Sequence, residues 1–492
     1  MNRNFVAIDL GAESGRAVVG KFDAQQFSLE QVHRFPNRPV RVAGHLHWDA
    51  LRLFDEIQTG IQLAAKRCGA LTSVGVDTWG VDFGLLDKNG TLIANPYHYR
   101  DHRTDGVMEQ VFERVPRAEV FRTTGIQFMQ LNTLYQLYTM RDSPLLDIAQ
   151  TLLMMPDLFN YWLTGEKLGE FTIATTTQFY DSRHRTWATG LLDRLGLPSH
   201  ILPRVIPPAT RIGALLPALA GLSGLRDTLV IAPACHDTGS AVAAVPALTD
   251  RYAYISSGTW SLMGVVTPDA VITATTRDFN FTNEGGVGGT FRLLKNLAGL
   301  WLIQECRRAW ARGGADLSYD AIVDLAQHAQ SFQAFVDPDH VSFMNPSDMP
   351  DAMANFFKAT GQVVPQDQGT FARIALESLA LKYRMTLERL ESILGSRLEA
   401  IHVVGGGSQN QLLCQFAADA CARPVYAGPA EATAIGNVLA QALAIGELAS
   451  WDEARQIVRE TFPIKTFEPR GTGAWDDAYA RFRRVLENRS VD

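Results

Sequence analysis

Short apolar runs rich in β-branched residues alternate with longer stretches whose apolar positions recur three and four apart, a pattern that reads as α/β. Residues 5–8 predict a strand ending at Asp9. A turn containing Gly11 and Gly15 follows, and residues 16–19 predict a second strand, so the chain opens with a hairpin whose tip is glycine-rich. Asp49 precedes a helical pattern with Phe54, Ile57, Ile61 and Ala65 on one face. Lys66 and Arg67 occupy its last turn, and Gly69 stops it. Residues 73–76 predict the next strand, ending at Asp77.

The opening pattern recurs midway. Residues 252–255 predict a strand, 256–260 a turn and 261–265 a second strand, and Ile8-Asp9-Leu10-Gly11 aligns with Ile255-Ser256-Ser257-Gly258. The copies are much too far apart for a solenoid, which points to a duplicated domain. A boundary near Val245-Pro246 divides the chain into 1–245 and 246–470. A final helical stretch within 471–492 is left unassigned to either part. The second half carries an amphipathic stripe, Leu376, Leu379, Tyr383, Leu387, Leu390 and Leu394, ended by Gly395 and expected to face a core. A strand at 400–404, a turn from Gly405 to Asn410, and helices through Cys421 and over 431–443 follow.

Composition narrows the class. Of 492 residues 46% are hydrophobic and 20% charged, which is ordinary globular material. A net charge of −7 without a dense Lys/Arg run argues against a nucleic-acid partner. No apolar run reaches membrane-spanning length, so no membrane partner is expected. The five cysteines, Cys68, Cys235, Cys306, Cys414 and Cys421, are scattered without a CxxC pair. That excludes a zinc knuckle or disulfide framework and makes a reducing, cytoplasmic location the simplest expectation. Oligomeric state is not legible.

Three glycine-rich turns follow strands: Gly11–Gly15, Gly258–Gly264 and Gly405–Gly407. Each alone is more often a structural stop than a ligand loop. Together, with two in matching hairpins and the third leading into a helix N-terminus, they suit phosphate held by backbone N–H groups. Other nucleotide and hydrolase motifs are excluded. Gly15 to Lys21 spells most of a P-loop, but Phe22 stands where Ser or Thr should hold magnesium. No G-x-G-x-x-G follows a strand as a dinucleotide fold demands, and no G-x-S-x-G elbow occurs.

Several carboxylates sit at strand ends. Asp9 adjoins the first glycine turn, where it would repel phosphate unless a metal lay between them. Asp77 and Asp82 flank Thr78-Trp79-Gly80-Val81, and Asp101 lies in a polar loop. Asp237 precedes a small-residue helix over 238–244. There it reads as a plain N-cap, a catalytic carboxylate, or both. His236 is expected to bond a substrate or fill a core, because nothing nearby completes a zinc site. Trp79, Phe83 and Trp260 have the chemistry to stack on a sugar, although aromatics near strand ends are usually core, the reading favoured for Trp260.

These elements resemble a known family. Asp9-Leu10-Gly11 with Ser14-Gly15-Arg16, the repeated hairpin Ser256-Ser257-Gly258-Thr259-Trp260-Ser261, and Gly405-Gly406-Gly407 with Asn410 resemble the phosphate-1, phosphate-2 and adenosine elements of the sugar-kinase, Hsp70 and actin superfamily. Within it the chain resembles the FGGY carbohydrate kinases from Phe5 to about Phe467. Selective strings include Asp77 to Phe83, Tyr99-Arg100-Asp101, His236-Asp237-Thr238, Asn283-Glu284-Gly285-Gly286 and Leu294-Lys295-Asn296. The resemblance implies an α/β fold of two RNase-H-like (actin-like ATPase) domains with a ligand cleft between them. Sugar would be held mainly by the first and ATP mainly by the second. It implies Asp237 as catalytic base, and Gly80, His236, Asp237, Thr238 and Asn296 as sugar contacts. Glu13, Ser14, Gly15, Arg16, Ala17, Thr259, Gln304, Gly405 and Gly406 would contact ATP, together with Gly407 in the third turn. Asp9 would hold Mg²⁺, through water.

One departure is Glu13, where the superfamily usually has Thr or Ser. The expectation is that its side chain turns to solvent or helps place magnesium, leaving its N–H for ATP. A nucleotide switch that moves protein partners would share the phosphate loops but not need His236-Asp237-Thr238. A sugar sensor without turnover would not need Asp237.

Overall fold

The computed structural model describes residues 3–22, 27–220 and 225–487. By compactness the chain divides into two units. The first comprises Met1–Pro246, Val266–Leu294 and Glu431–Phe462; the second comprises Ala247–Val265, Lys295–Ala430 and Pro463–Asp492. A single cut near Val245-Pro246 therefore captures the start of the second unit and misses two segments that belong to the first. Residues 1–2, 23–26, 221–224 and 488–492 of the expected domains lie outside the described residues.

In the first unit, six strands run in the order Thr210–Ala214, Leu229–Ala232, Ser73–Thr78, Arg3–Leu10, Ser14–Phe22 and Phe27–Pro36. Arg3–Leu10 pairs antiparallel with Ser14–Phe22 and parallel with Ser73–Thr78, which sets Asp9 opposite both Arg16 and Asp77. Burial on both faces explains why the first strand reads as a continuous apolar run, with Phe5 to Ile8 at most 1% exposed. Helix Ala50–Cys68 starts where the Asp49 side chain accepts from Arg52 N–H. It stops at Gly69, whose φ of +82° suits glycine. Its buried face carries Leu53, Ile57, Ile61 and Ala65. Phe54 is rotated off that face and meets the Trp162 ring edge-on at 5.1 Å.

Helix Ala432–Ile445 joins the first unit because its polar side chains serve that sheet. Asn437 donates to Gly75 O and Asp77, and Gln441 donates to Val6 O and accepts from Ser73. Glycine is required where this helix meets Asp237–Ala243: a Cβ on Gly436 would stand 1.9 Å from Ser240 O.

The second unit repeats the arrangement. Strands run Trp260–Thr267, Tyr252–Ser257, Ala400–Val404, Val425–Ala427 and Lys465–Phe467, with Tyr252–Ser257 antiparallel to the first of these and parallel to the third. Helix Gln368–Leu394 is capped by Asp367 and buries Leu376, Leu379, Tyr383, Leu387 and Leu390, as the stripe predicts, while Leu394, at the helix end, is only half-buried. The final helix, Thr472–Glu487, belongs to this unit. It is fixed to Gln368–Leu394 by Arg384–Asp476 and Tyr479–Glu388 bonds. All five cysteines are free. Among the described residues no helix is long and apolar enough to cross a membrane.

Candidate active site

The strand register brings three carboxylates of the first unit into one electrostatic group. Asp9 is 6% exposed and its Oδ2 accepts from Arg16 Nε at 2.9 Å and Nη2 at 2.7 Å. The same guanidinium also pairs with Glu431. Asp77 is fully buried. Its Oδ2 accepts from Asn437 Nδ2 at 2.5 Å, and its Oδ1 has no hydrogen-bond partner among the described residues. Burial, then Asp9, pushes the Asp77 carboxyl well above its ordinary range. Asp237 is also raised, by burial first, with His236 opposing and Asp9 adding to the shift.

Asp237 is not the helix cap. His236 occupies that position, without a side-chain capping bond, and Asp237 is the first helical residue. Thr238 donates its N–H and hydroxyl to Asp237 Oδ1 at 2.5 and 3.1 Å. Oδ2 is left for other partners. The peptide leading into this helix is tied down on both sides. Glu170 Oε2 accepts from Cys235 N, Thr172 Oγ1 accepts from His236 N, and Cys235 O accepts from Thr78 N. Glu170, fully buried, is pushed up to about 7 by that burial, against four N–H and O–H donors.

Gly80 and His236 meet here. A Cβ on Gly80 would stand 3.3 Å from His236 Nε2 and 3.4 Å from Thr176 Cγ2. Val81 follows with a φ of +69°, strained for a β-branched residue and held by Thr133 and Thr176. Trp79 and Phe83 are both 5% exposed. The indole N–H groups of Trp79 and Trp48 both donate to Asp82 Oδ2, at 2.9 and 2.6 Å, while Gln136 donates to Oδ1. Burial pushes Asp82 up to about 6 against these bonds. Asp101 is structural: it accepts from Leu46 N–H and Arg103 N–H.

The loops differ in why they carry glycine. In the first, Gly11 N–H bonds Ser14 O, and Asn37 bonds both Gly11 O and Glu13 O. A Cβ on Gly15 would strike the Phe35 ring at 2.3 Å, so packing alone demands that glycine; Gly11 meets only Ser14 O at 3.4 Å. Ser14 and Arg16 are half-buried at the start of the second strand, Glu13 is half-buried in the turn, and Ala17 is fully buried. In the second unit, Gly258 has open space, its nearest neighbour being Trp260 O at 4.0 Å. The carbonyls of Gly258 and Thr259 accept from Gly299, Leu300 and Trp301 N–H, which sets helix Trp301–Arg312 beside this loop. Gln304, in the first turn of that helix, has a buried Oε1 with no partner among the described residues. In the third turn, Gly405 (φ +82°) and Gly407 are demanded by Ser257, whose atoms lie 3.0 and 1.9 Å from their added Cβ positions. Gly406 has nothing within 4 Å. Trp260 is half-buried, not core: it is the first residue of strand Trp260–Thr267, directly after the turn. Asn296 is half-buried on strand Phe291–Ala298, in the second unit.

Sequence reading missed Asn37, Glu170, Asn437 and Arg292, which support these groups from a distance. Of the two residues at His236 Nδ1, Glu284 lay inside one of the strings named above and Arg292 did not.

Models for the two halves of the FGGY family of carbohydrate kinases match the chain: the N-terminal domain over residues 4–244 and the C-terminal domain over 253–445. A rhamnulokinase of Bacteroides thetaiotaomicron is 46% identical, covering 99% of this chain and 100% of that protein. A rhamnulokinase of Bacillus subtilis is 36% identical, covering 95% of each. Among solved structures, a ligand-bound xylulose kinase from Lactobacillus acidophilus superposes with a TM-score of 0.81 at 16% identity, covering 100% of this chain and 99% of that one. Plasmodium falciparum glycerol kinase with ADP gives 0.78 at 13%, with the same coverage. These two likenesses speak to fold. With both family models matched and full-length relatives well above 30% identity, the chain belongs to the FGGY family of carbohydrate kinases, enzymes that transfer phosphate to a sugar hydroxyl.

Proposed function

We propose that this chain phosphorylates L-rhamnulose with ATP at the C1 hydroxyl, giving L-rhamnulose 1-phosphate, with Asp237 as general base. The observation that carries the substrate is the 46% identity, end to end, with a protein named rhamnulokinase. The geometry supports the base. Asp237 Oδ1 is occupied by Thr238, Oδ2 is available, and His236 and Gly80 border the same space.

L-Rhamnulose is a 6-deoxy ketohexose, and its only primary hydroxyl is at C1. That oxygen attacks the γ-phosphorus in line, the bond to the β–γ bridging oxygen breaks, and ADP leaves. Asp237 Oδ2 takes the hydroxyl proton. His236, Thr238 and Asn296 hold the sugar, with Gly80 leaving room for it. Trp79, fixed by Asp82, or Phe83 gives the C6 methyl an apolar wall. Glu13 to Ala17, Thr259, Gln304, Gly405 and Gly406 form the ATP contacts; the open space at Gly258 and Gly406 supports the approach of phosphate to nearby backbone N–H groups.

Among the described residues no group of three or more His, Cys, Asp or Glu is placed to hold a metal. Mg²⁺ carried on a nucleotide takes one or two carboxylates plus phosphates and water, and Asp9, beside the first glycine turn, is the carboxylate that suits it. When bound, the ion would neutralise charge on the β- and γ-phosphates. Asp9 would hold it through water, using Oδ1, the oxygen that Arg16 leaves free.

The test is a ketose panel with ATP consumption as readout, followed by NMR of the product. Phosphorus coupling at C1 of rhamnulose is expected. Coupling elsewhere, or a clear preference for L-fuculose or xylulose, would replace the substrate and leave the kinase family assignment intact.

A further inference from the structure

His236 has a second neighbour set, behind the face it turns to Asp237 and Gly80. Its Nδ1 lies 3.1 Å from Arg292 Nη2, with hydrogen-bond geometry, and 3.2 Å from Glu284 Oε2. Arg292 is 1% exposed and Glu284 4%. They stand directly opposite each other in the antiparallel hairpin formed by Thr282–Gly285 and Phe291–Ala298. Arg292 is fixed by two further interactions: Nε donates to Gly285 O at 2.8 Å, and Nη2 lies 3.2 Å from Glu284 Oε2. A full positive charge is thus buried against one carboxylate and one imidazole nitrogen.

A guanidinium in a protein only donates. If its Nη2–H points at His236 Nδ1, that nitrogen must present a lone pair, and the single ring proton of a neutral imidazole is then on Nε2. A second proton on Nδ1 would set two donors face to face at 3.1 Å. Glu284 balances the Arg292 charge, so the pair imposes direction on the ring more than net field. On the other side, Nε2 lies 3.5 Å from Asp237 Oδ1 and faces Gly80.

We infer that Arg292, backed by Glu284, is a positioning residue that fixes His236 as the neutral Nε2–H tautomer, making His236 a hydrogen-bond donor toward the sugar and Asp237. In that state His236 has no lone pair on the substrate side and cannot compete for the hydroxyl proton. Asp237 is left as the sole acceptor. The inference deepens the proposed function and rests on Asp237 being its base. The charged groups facing His236 are Asp237, Glu284 and Arg292.

The experiment is long-range ¹H–¹⁵N NMR of the full chain labelled with ¹⁵N-histidine at pH 7.5, with His236 assigned by loss of its signals in His236→Asn. The wild-type ring is expected as neutral Nε2–H. In Arg292→Met, which keeps length but cannot donate, Nδ1 is released to bond Glu284, and the spectrum should move to Nδ1–H or imidazolium. kcat/KM for rhamnulose should fall about 10–100-fold, the scale set by partners that orient a histidine elsewhere, while KM for ATP stays within about two-fold. Arg292→Lys, which still donates, should restore part of both. A wild-type ring protonated on Nδ1 would overturn the inference, and so would an Arg292→Met spectrum and sugar kinetics unchanged from wild type. If Arg292→Met does not fold, the wild-type spectrum alone decides. An active Asp237→Asn would remove the base and leave the tautomer measurement standing, so the two failures are distinguishable.

Discussion

Thr238 gives both of its donors to one oxygen of Asp237: its N–H at 2.5 Å and its hydroxyl at 3.1 Å both meet Oδ1. The carboxylate is therefore oriented by its own neighbour and not by a capping role in the helix. Asp237→Asn can keep its carbonyl on the Thr238 side, but its amide then replaces Oδ2 with a donor. Turnover is expected to fall by about two to four orders of magnitude. Melting temperature should change little, since asparagine keeps an oxygen for the two Thr238 donors. Steady-state kinetics and a thermal melt check this; near-wild-type turnover would dismiss Asp237 as the base.

The glycines separate into two kinds, and substitution should separate them too. Gly11→Val and Gly258→Val add a side chain where the nearest atoms are 3.4 and 4.0 Å from the new Cβ, so folding is affected little. Each should weaken ATP much more than sugar in calorimetric titrations, because the side chain blocks backbone approach to phosphate. Gly407→Ala instead drives a methyl to 1.9 Å from Ser257 Oγ and should lower the melting temperature. Equal loss of both ligands in the Gly11 and Gly258 variants would mean general unfolding.

Glu170 makes the fold sensitive to pH. Its folded value, about 7, lies above its ordinary 4.5, so between these values the folded chain binds more protons than the unfolded one. Its contribution is present in full below about pH 4.5 and is lost as pH rises through about 7, a change on the order of 3 kcal/mol. Glu170→Gln keeps an oxygen for the Thr172 and Cys235 donors and cannot ionise. Urea unfolding at pH 5 and pH 8 should show a smaller loss of stability in the variant. An identical loss would assign the dependence to other groups.

Substrate discrimination at the methyl end should be modest. An apolar wall at Trp79 distinguishes a methyl from a missing carbon or an added hydroxyl by about 1–3 kcal/mol. Xylulose, which lacks that methyl, should show detectable side activity, with rhamnulose preferred in kcat/KM. Trp79→Ala should narrow that preference; an unchanged ratio would place the methyl elsewhere.

Much of the fold follows from local rules. The two hairpins, the capped helix after Asp49 and the stripe ending at Gly395 are written in neighbouring residues, because strand alternation, helix periodicity and caps act over a few positions. The glycine turns and the His236-Asp237-Thr238 string were legible for the same reason. What each glycine is for was not: Gly15 answers to Phe35 and Gly407 to Ser257, which only the folded chain brings near.

By itself, the sequence determined the α/β class, the duplication and the family, and it supplied the residues proposed for the site. Tertiary structure decided how those residues are held and charged. Asn437 reaches Asp77 across 360 positions, Arg292 reaches His236 across 56, and Glu170 reaches Cys235 across 65. No periodicity encodes such pairs. They arise when sheet order and helix docking close long loops, and the resulting burial shifts the carboxylates and aims the ring of His236.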